Sequence, residues 1–140
     1  MNIFNFLTPK SEVAFLYESE TVAEAAEKFR INGYTAVPVI SRDGEYLETL
    51  TEGDILRYLL AELHGGSADK MDSDIVISLP IRKDIRPVHV NADIFSLIDL
   101  CKTQNFVPVV DDRGIFIGIV TRKDLICFVD NKYREELNRK

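Results

Sequence analysis

Val37-Pro38-Val39 recurs as Val107-Pro108-Val109, 70 positions further along a 140-residue chain, and this recurrence constrains the fold more than any other feature. Thr51 and Asp54 recur as Thr121 and Asp124 at the same spacing of 70, so neither copy needs a gap between these anchors. Arg42-Asp43-Gly44 aligns with Asp112-Arg113-Gly114, which puts a glycine turn midway in both. Upstream, Val22, Ala25, Ala26 and Phe29 correspond to Ile94, Leu97, Ile98 and Cys101 if the second copy is two residues shorter. Three kinds of match in one order identify a duplicated unit.

Each copy predicts the same elements. Thr21-Val22-Ala23-Glu24 is a capping-box signature, and Val22, Ala25, Ala26 and Phe29 then fall on one helical face, with Gly33 as the stop. Ala36–Ile40 is an apolar, β-branched run expected as a strand, its proline at a strand start or edge where no ladder N–H is missed. Asp43-Gly44 predicts a hairpin turn, residues 46–50 the returning strand, and Thr51-Glu52-Gly53-Asp54 the opening of a second helix. The second copy repeats this with Asp93 as helix cap, strands about Gly114, and a helix from Thr121 to Val129. The expected boundaries are a first repeat at 8–63, a polar linker at 64–77 broken at Gly65-Gly66-Ser67, a second repeat at 78–130 and a charged helical extension at 131–140.

Composition narrows the function classes. A net charge of −6 argues against a nucleic-acid polymer as partner, because phosphate contacts need a basic field, yet one local basic pair suffices for a small nucleotide. Cys101 and Cys127 lie far apart in apolar stretches and are expected as reduced, buried thiols. His64 and His89 are isolated from each other and from the cysteines, so no metal site is expected. Residues 1–7 lack the basic start of a secretory signal, and no run approaches the ~20 apolar residues of a membrane span. The expectation is a cytoplasmic protein with no membrane partner and no cofactor.

Two copies of helix, Val-Pro-Val, glycine turn and Thr-x-x-Asp resemble the CBS domain, and the tandem resembles a Bateman module over residues 8 to 130. Gly118-Ile119-Val120-Thr121-Arg122-Lys123-Asp124-Leu125 is similar to the family's most recognisable stretch. In the first copy Glu48-Thr49-Leu50 replaces the usual glycine and two hydrophobics, so that returning strand is expected to end differently. The resemblance implies an α+β fold of two β-α-β-β-α repeats packed about a pseudo-twofold axis, with clefts between repeats for AMP, ATP, other adenosyl ligands or cyclic di-AMP. A narrower resemblance joins Glu12-Val13-Ala14-Phe15, Gly33-Tyr34-Thr35-Ala36-Val37-Pro38, His89-Val90-Asn91 and Thr121-Arg122-Lys123 to small stand-alone cyclic di-AMP-binding CBS proteins of Gram-positive bacteria. That group carries a basic residue at the position of Glu12 and two arginines at Arg122-Lys123, and it need not carry Asp124. AMP and cyclic di-AMP both stay open.

An adenosine phosphate needs an apolar slot for its base, an acceptor for ribose hydroxyls and donors for phosphate. Asp124 supplies the acceptor, Thr121 a hydroxyl at a helix start, Arg122 a bidentate grip and Lys123 a point charge. Val13, Ala14, Tyr34, Ala36 and Val37 are the candidate base contacts, with Thr35 adding a hydroxyl. The pseudo-equivalent set is Thr51, Asp54, Val88, Phe106 and Val107, where Glu52-Gly53 replaces the basic pair and disfavours phosphate. Thr-x-x-Asp is also a plain capping box, Arg122 and Lys123 are also ordinary surface cations, and Tyr34 is also an ordinary core aromatic.

The leading expectation is a regulatory adenine-nucleotide sensor that forms a homodimer through leftover apolar helix faces at Ile55, Leu59, Leu125 and Phe128. The alternative is a ligand-free interaction module that docks on a partner enzyme or transporter. An enzyme is not expected, since no nucleophile–base or paired-carboxylate arrangement is visible in the sequence.

Overall fold

The computed structural model describes residues 2–65, 68–79, 81 and 85–139. In chain order its elements are β1 (Thr8–Pro9), β2 (Leu16–Tyr17), α1 (Val22–Asn32), β3 (Ala36–Ile40), β4 (Tyr46–Thr51), α2 (Glu52–Gly65), β5 (Val88–His89), α3 (Ile94–Cys101), β6 (Phe106–Val110), β7 (Phe116–Thr121) and α4 (Arg122–Asn138). The fold is α+β, and the expected β-α-β-β-α order occurs twice, as β2-α1-β3-β4-α2 and β5-α3-β6-β7-α4. The chain divides into two compact units, Ala14–Ile85 and Met1–Val13 with Arg86–Lys140.

In the Ala14–Ile85 unit, β2 and β3 are parallel and are joined through α1, while β3 and β4 form an antiparallel hairpin. Thr21 caps α1, its Oγ1 accepting from Glu24 N at 3.1 Å, and Gly33 ends the helix at φ 67°, a left-handed conformation that glycine adopts without strain. Leu16, Val22, Ala25, Phe29, Val39 and Leu50 fill the core between sheet and helices. The segment expected as a linker is tied into this unit wherever it is described. Val22 N donates to Asp74 O and Val76 N to Glu20 O, both at 2.9 Å, and Tyr58 Oη donates to Asp74 Oδ2 at 2.7 Å. Burial, followed by the Asp74 carboxylate, pushes the Tyr58 phenol upward. Val76, Leu79 and Ile81 complete the core, and the expected break at Gly66-Ser67 lies outside the described residues.

The other unit repeats the pattern, with Asp93 capping α3 through Ser96 N at 2.8 Å; hydrogen bonding from Ser96 lowers the Asp93 carboxyl. It also gains a fourth strand, because β1 pairs antiparallel with β7, Thr8 opposite Ile119 and Pro9 opposite Gly118. Ile3 and Phe6 anchor the N-terminal segment in the core, with the Phe6 and Phe128 ring centroids 4.9 Å apart. Gly118 permits this approach: a Cβ there would lie 2.2 Å from Thr8 O. The aligned residue in the first repeat is Glu48, on β4, which forms the edge of its three-stranded sheet.

Several expectations need correction. The two returning strands end alike, at Thr51 and Thr121, with matching register shifts at Ile40–Tyr46 and Val110–Phe116; Gly118 admits β1 beside β7, and Glu48 stands at the aligned position of β4. Pro38 and Pro108 are mid-strand, in strands flanked on both sides, not at a start or edge. Thr35 O accepts from Glu52 N just beyond β4, while Ile40 O accepts from Glu18 N just beyond β2. Period-two alternation then turns Pro38 toward β2, so the hairpin ladder loses no donor. Pro108 is placed likewise, between Asn105 O accepting from Arg122 N and Val110 O accepting from Val90 N. Helix α4 continues past Val129 without a break, through the charged extension to Asn138. Cys101 is buried as expected, but Cys127 is exposed on α4. Ile55 and Leu125 face inward to the cores, so on these two helices the exposed apolar residues include instead Leu56 and Leu60 on α2 and Ile126, Val129, Tyr133 and Leu137 on α4.

Candidate functional site

Strand β7 delivers Thr121 to the start of α4, where its Oγ1 accepts from Asp124 N at 3.1 Å. The half-buried Asp124 carboxylate does not return a bond to Thr121, and it accepts no hydrogen bond among the described residues. It borders a cavity of about 360 Å³ within its own unit, with Asn5, Phe6 and Leu7 on one side and Cys127, Phe128 and Asn131 of α4 on the other. Lys123 is exposed. Arg122 is turned away from this cavity: its Nε donates to Cys101 O at 2.8 Å, satisfying a carbonyl at the C-terminal end of α3 and adding a cation where the helix dipole favours one. It borders a separate apolar groove of about 510 Å³ between α3 and α4, floored by Ile98, Leu125, Ile126 and Val129. Burial raises the Cys101 thiol there, and the nearby Arg122 charge opposes that rise.

Thr51 and Asp54, at the matching positions, are bonded differently. Asp54 Oδ2 accepts from Thr51 N and from Thr51 Oγ1, each at 2.9 Å, and Asp54 N donates back to Thr51 Oγ1 at 3.2 Å. Its other oxygen pairs with Arg57, and its side chain is only 1% exposed. Asp54 therefore completes a reciprocal capping box, and its oxygens are committed. The residue three positions on explains the difference. Arg57 reaches Asp54, whereas the aligned Cys127 offers Asp124 no charge.

The other candidates divide between the units. Tyr34 is 37% exposed, Thr35 is exposed, and Ala14 and Ala36 are half-buried, whereas Val37 packs in its unit's core. In the other unit Val13 and Phe106 are half-buried, and Val88 and Val107 belong to the core. Sequence reasoning missed Arg57, Asn5 and Asn131. It also missed Gln104, the aligned counterpart of Tyr34, whose buried amide binds both N and O of Arg86 and also Phe106 O. The i+3 contrast between Arg57 and Cys127 is the sequence signal that separates the two Thr-x-x-Asp pairs.

A duplicated β-α-β-β-α fold with a Thr-x-x-Asp helix start in each copy defines a CBS pair, and the family model for the CBS domain matches residues 5–61 and again 73–131. The chain belongs to the CBS domain family. Among curated proteins it is similar to Cyclic di-AMP receptor B of Bacillus subtilis (strain 168), 27% identical over 135 residues, covering 96% of this chain and 89% of that one. It spans 53% of the length of another relative, the uncharacterised protein MK0525 of Methanopyrus kandleri, at 29% identity and 77% coverage of this chain. Among solved structures, CbpB in complex with c-di-AMP superposes with a TM-score of 0.88 at 22% identity, covering 100% of this chain and 91% of that chain. CBSX2 in complex with AMP superposes with a TM-score of 0.73 at 21% identity, covering 94% and 98%. No helix among the described residues is long and apolar enough to cross a membrane.

Proposed function

We propose that this CBS pair is a regulatory protein that binds an adenine nucleotide, AMP, ATP or cyclic di-AMP, without transforming it. The observation that carries the reading is the inequality of the two Thr-x-x-Asp pairs. Asp54 spends its oxygens on Thr51 and Arg57, while the Asp124 carboxylate is uncommitted beside a cavity. A carboxylate at that point suits ribose hydroxyls, and Thr121 with Lys123 at the start of α4 suits phosphate. Arg122 is a further proposed phosphate donor: its Nε is spent on Cys101 O, while its two NH2 groups make no hydrogen bond among the described residues. Val13, Ala14, Tyr34, Thr35 and Ala36 are the proposed base contacts; Val37 contributes chiefly packing. Relatives with c-di-AMP or AMP in their names or complexes support the ligand class.

Thermal shift with AMP, ATP and cyclic di-AMP tests the reading. A ligand at 100 times its Kd adds about 2.7 kcal/mol of stability, on the order of 8 °C in Tm for a chain of this size. No shift with any of the three favours the ligand-free module that docks on a partner enzyme or transporter. Asp124-dependent hydrolysis of a bound nucleotide would instead make the protein an enzyme.

A further inference from the structure

The cavity beside Asp124 has a second wall that the repeat carrying Asp124 does not supply. Asn5, Phe6 and Leu7 precede the repeat's own strands, and they are held in place by burial of Ile3 and Phe6 and by the β1–β7 pairing that Gly118 permits. Opposite them, Asn131 stands two helical turns beyond Asp124 on α4. Among the described residues, neither the Asn5 nor the Asn131 side-chain amide makes a hydrogen bond. The cavity therefore combines one anionic acceptor with two amides, each able both to donate and to accept, above the apolar Phe6–Phe128 pair. Among the described residues no lysine or arginine lines it. A phosphate would meet the Asp124 charge there without compensation, whereas an uncharged ring bearing hydroxyls would find both donors and acceptors.

We infer that Asn5 and Asn131 are specificity-determining residues for the hydroxyl-bearing sugar of the ligand, so that the N-terminal segment forms part of the binding site. This rests on the nucleotide-binding reading above and adds which residues read the sugar. Since Asn5 and Asn131 are exposed, replacing them removes the inferred hydrogen bonds to the ligand without opening a core.

The test is isothermal titration of the full chain with AMP, 2′-deoxy-AMP and cyclic di-AMP, for the wild type, Asn5→Ala and Asn131→Ala. Each substitution is expected to weaken the tightest-binding ribonucleotide by about 3- to 10-fold, the loss of one neutral hydrogen bond. Each is also expected to narrow the wild type's preference for AMP over 2′-deoxy-AMP, a ratio that a merely structural change leaves intact. If Asn5→Ala loosens the N-terminal segment, Asn131→Ala, on a continuous helix, carries the test by itself. Unchanged affinity and an unchanged AMP to 2′-deoxy-AMP ratio in Asn131→Ala overturn the inference while leaving nucleotide binding standing. A wild type that binds none of the three overturns both.

Discussion

Replacing Asp54 by alanine should unfold the protein more easily, whereas the same change at Asp124 should leave stability almost untouched. Asp54→Ala deletes a 1%-exposed carboxylate that holds Thr51 N, Thr51 Oγ1 and Arg57. The cap bond from residue 54 N to Thr51 Oγ1 survives because its donor is backbone. Loss of the charge-assisted hydrogen bonds that the carboxylate accepts from Thr51 and Arg57 costs about 1.5–3 kcal/mol. Against this, Arg57 has a side chain 42% exposed and can rehydrate. The net expectation is a destabilisation of about 2–3 kcal/mol. For Asp124→Ala, the bond from residue 124 N to Thr121 Oγ1 survives, because the donor is backbone. The gain in helix propensity, about 0.5 kcal/mol, and the loss of a favourable first-turn charge, about 0.3–1 kcal/mol, nearly cancel. Urea unfolding followed by circular dichroism measures both. With m of about 1–3 kcal/mol/M, Asp54→Ala should lower the midpoint by roughly 1–2 M and Asp124→Ala by a few tenths at most. Equal losses, or a larger loss at Asp124, would refute the assignment of one carboxylate to structure and the other to ligand.

Gly118→Val should detach β1, because the new Cβ meets Thr8 O at 2.2 Å; hydrogen exchange should speed up across residues 3–9, while Glu48→Gly should not slow exchange anywhere in that segment. Asp93, lowered in the fold from an unfolded value of about 3.9, stabilises α3 fully above that value and loses its contribution as pH falls through the folded value. The stability difference between wild type and Asp93→Ala should accordingly be constant from pH 5 to 7, about the usual working range, and shrink below about pH 4; a difference that grows in acid contradicts this. If the exposed Ile126–Val129–Tyr133–Leu137 stripe seats a second copy, Val129→Glu should convert a dimer to a monomer in light scattering; an unchanged mass places any interface elsewhere.

The repeat was legible because a hydrophobic period and turn chemistry write themselves twice, and the copies fold alike even to the register shift just after Tyr46 and Phe116. The N-terminal strand was not legible. Two residues carry no period, and its only trace was glycine at 118 where the first copy has Glu48. The roles of the two aspartates could not be separated by spacing, which is identical in both. What separates them is a local choice of partner within three residues on the helix start, and the cation at 57 against a thiol at 127 was its mark in the sequence. Arg122 was expected to grip phosphate bidentately from the start of α4. Its partner, Cys101 O, comes from a helix 21 positions earlier.

Titration of AMP and cyclic di-AMP into wild type, Asp124→Ala and Asp54→Ala, at a temperature where all three are folded, tests the central claim most directly. The wild type should bind at least one of them. Asp124→Ala should lose about 10- to 100-fold, the worth of hydrogen bonds to a charged acceptor, and Asp54→Ala should stay within a few-fold. Binding that is indifferent to Asp124, or that falls equally with Asp54, would contradict the account.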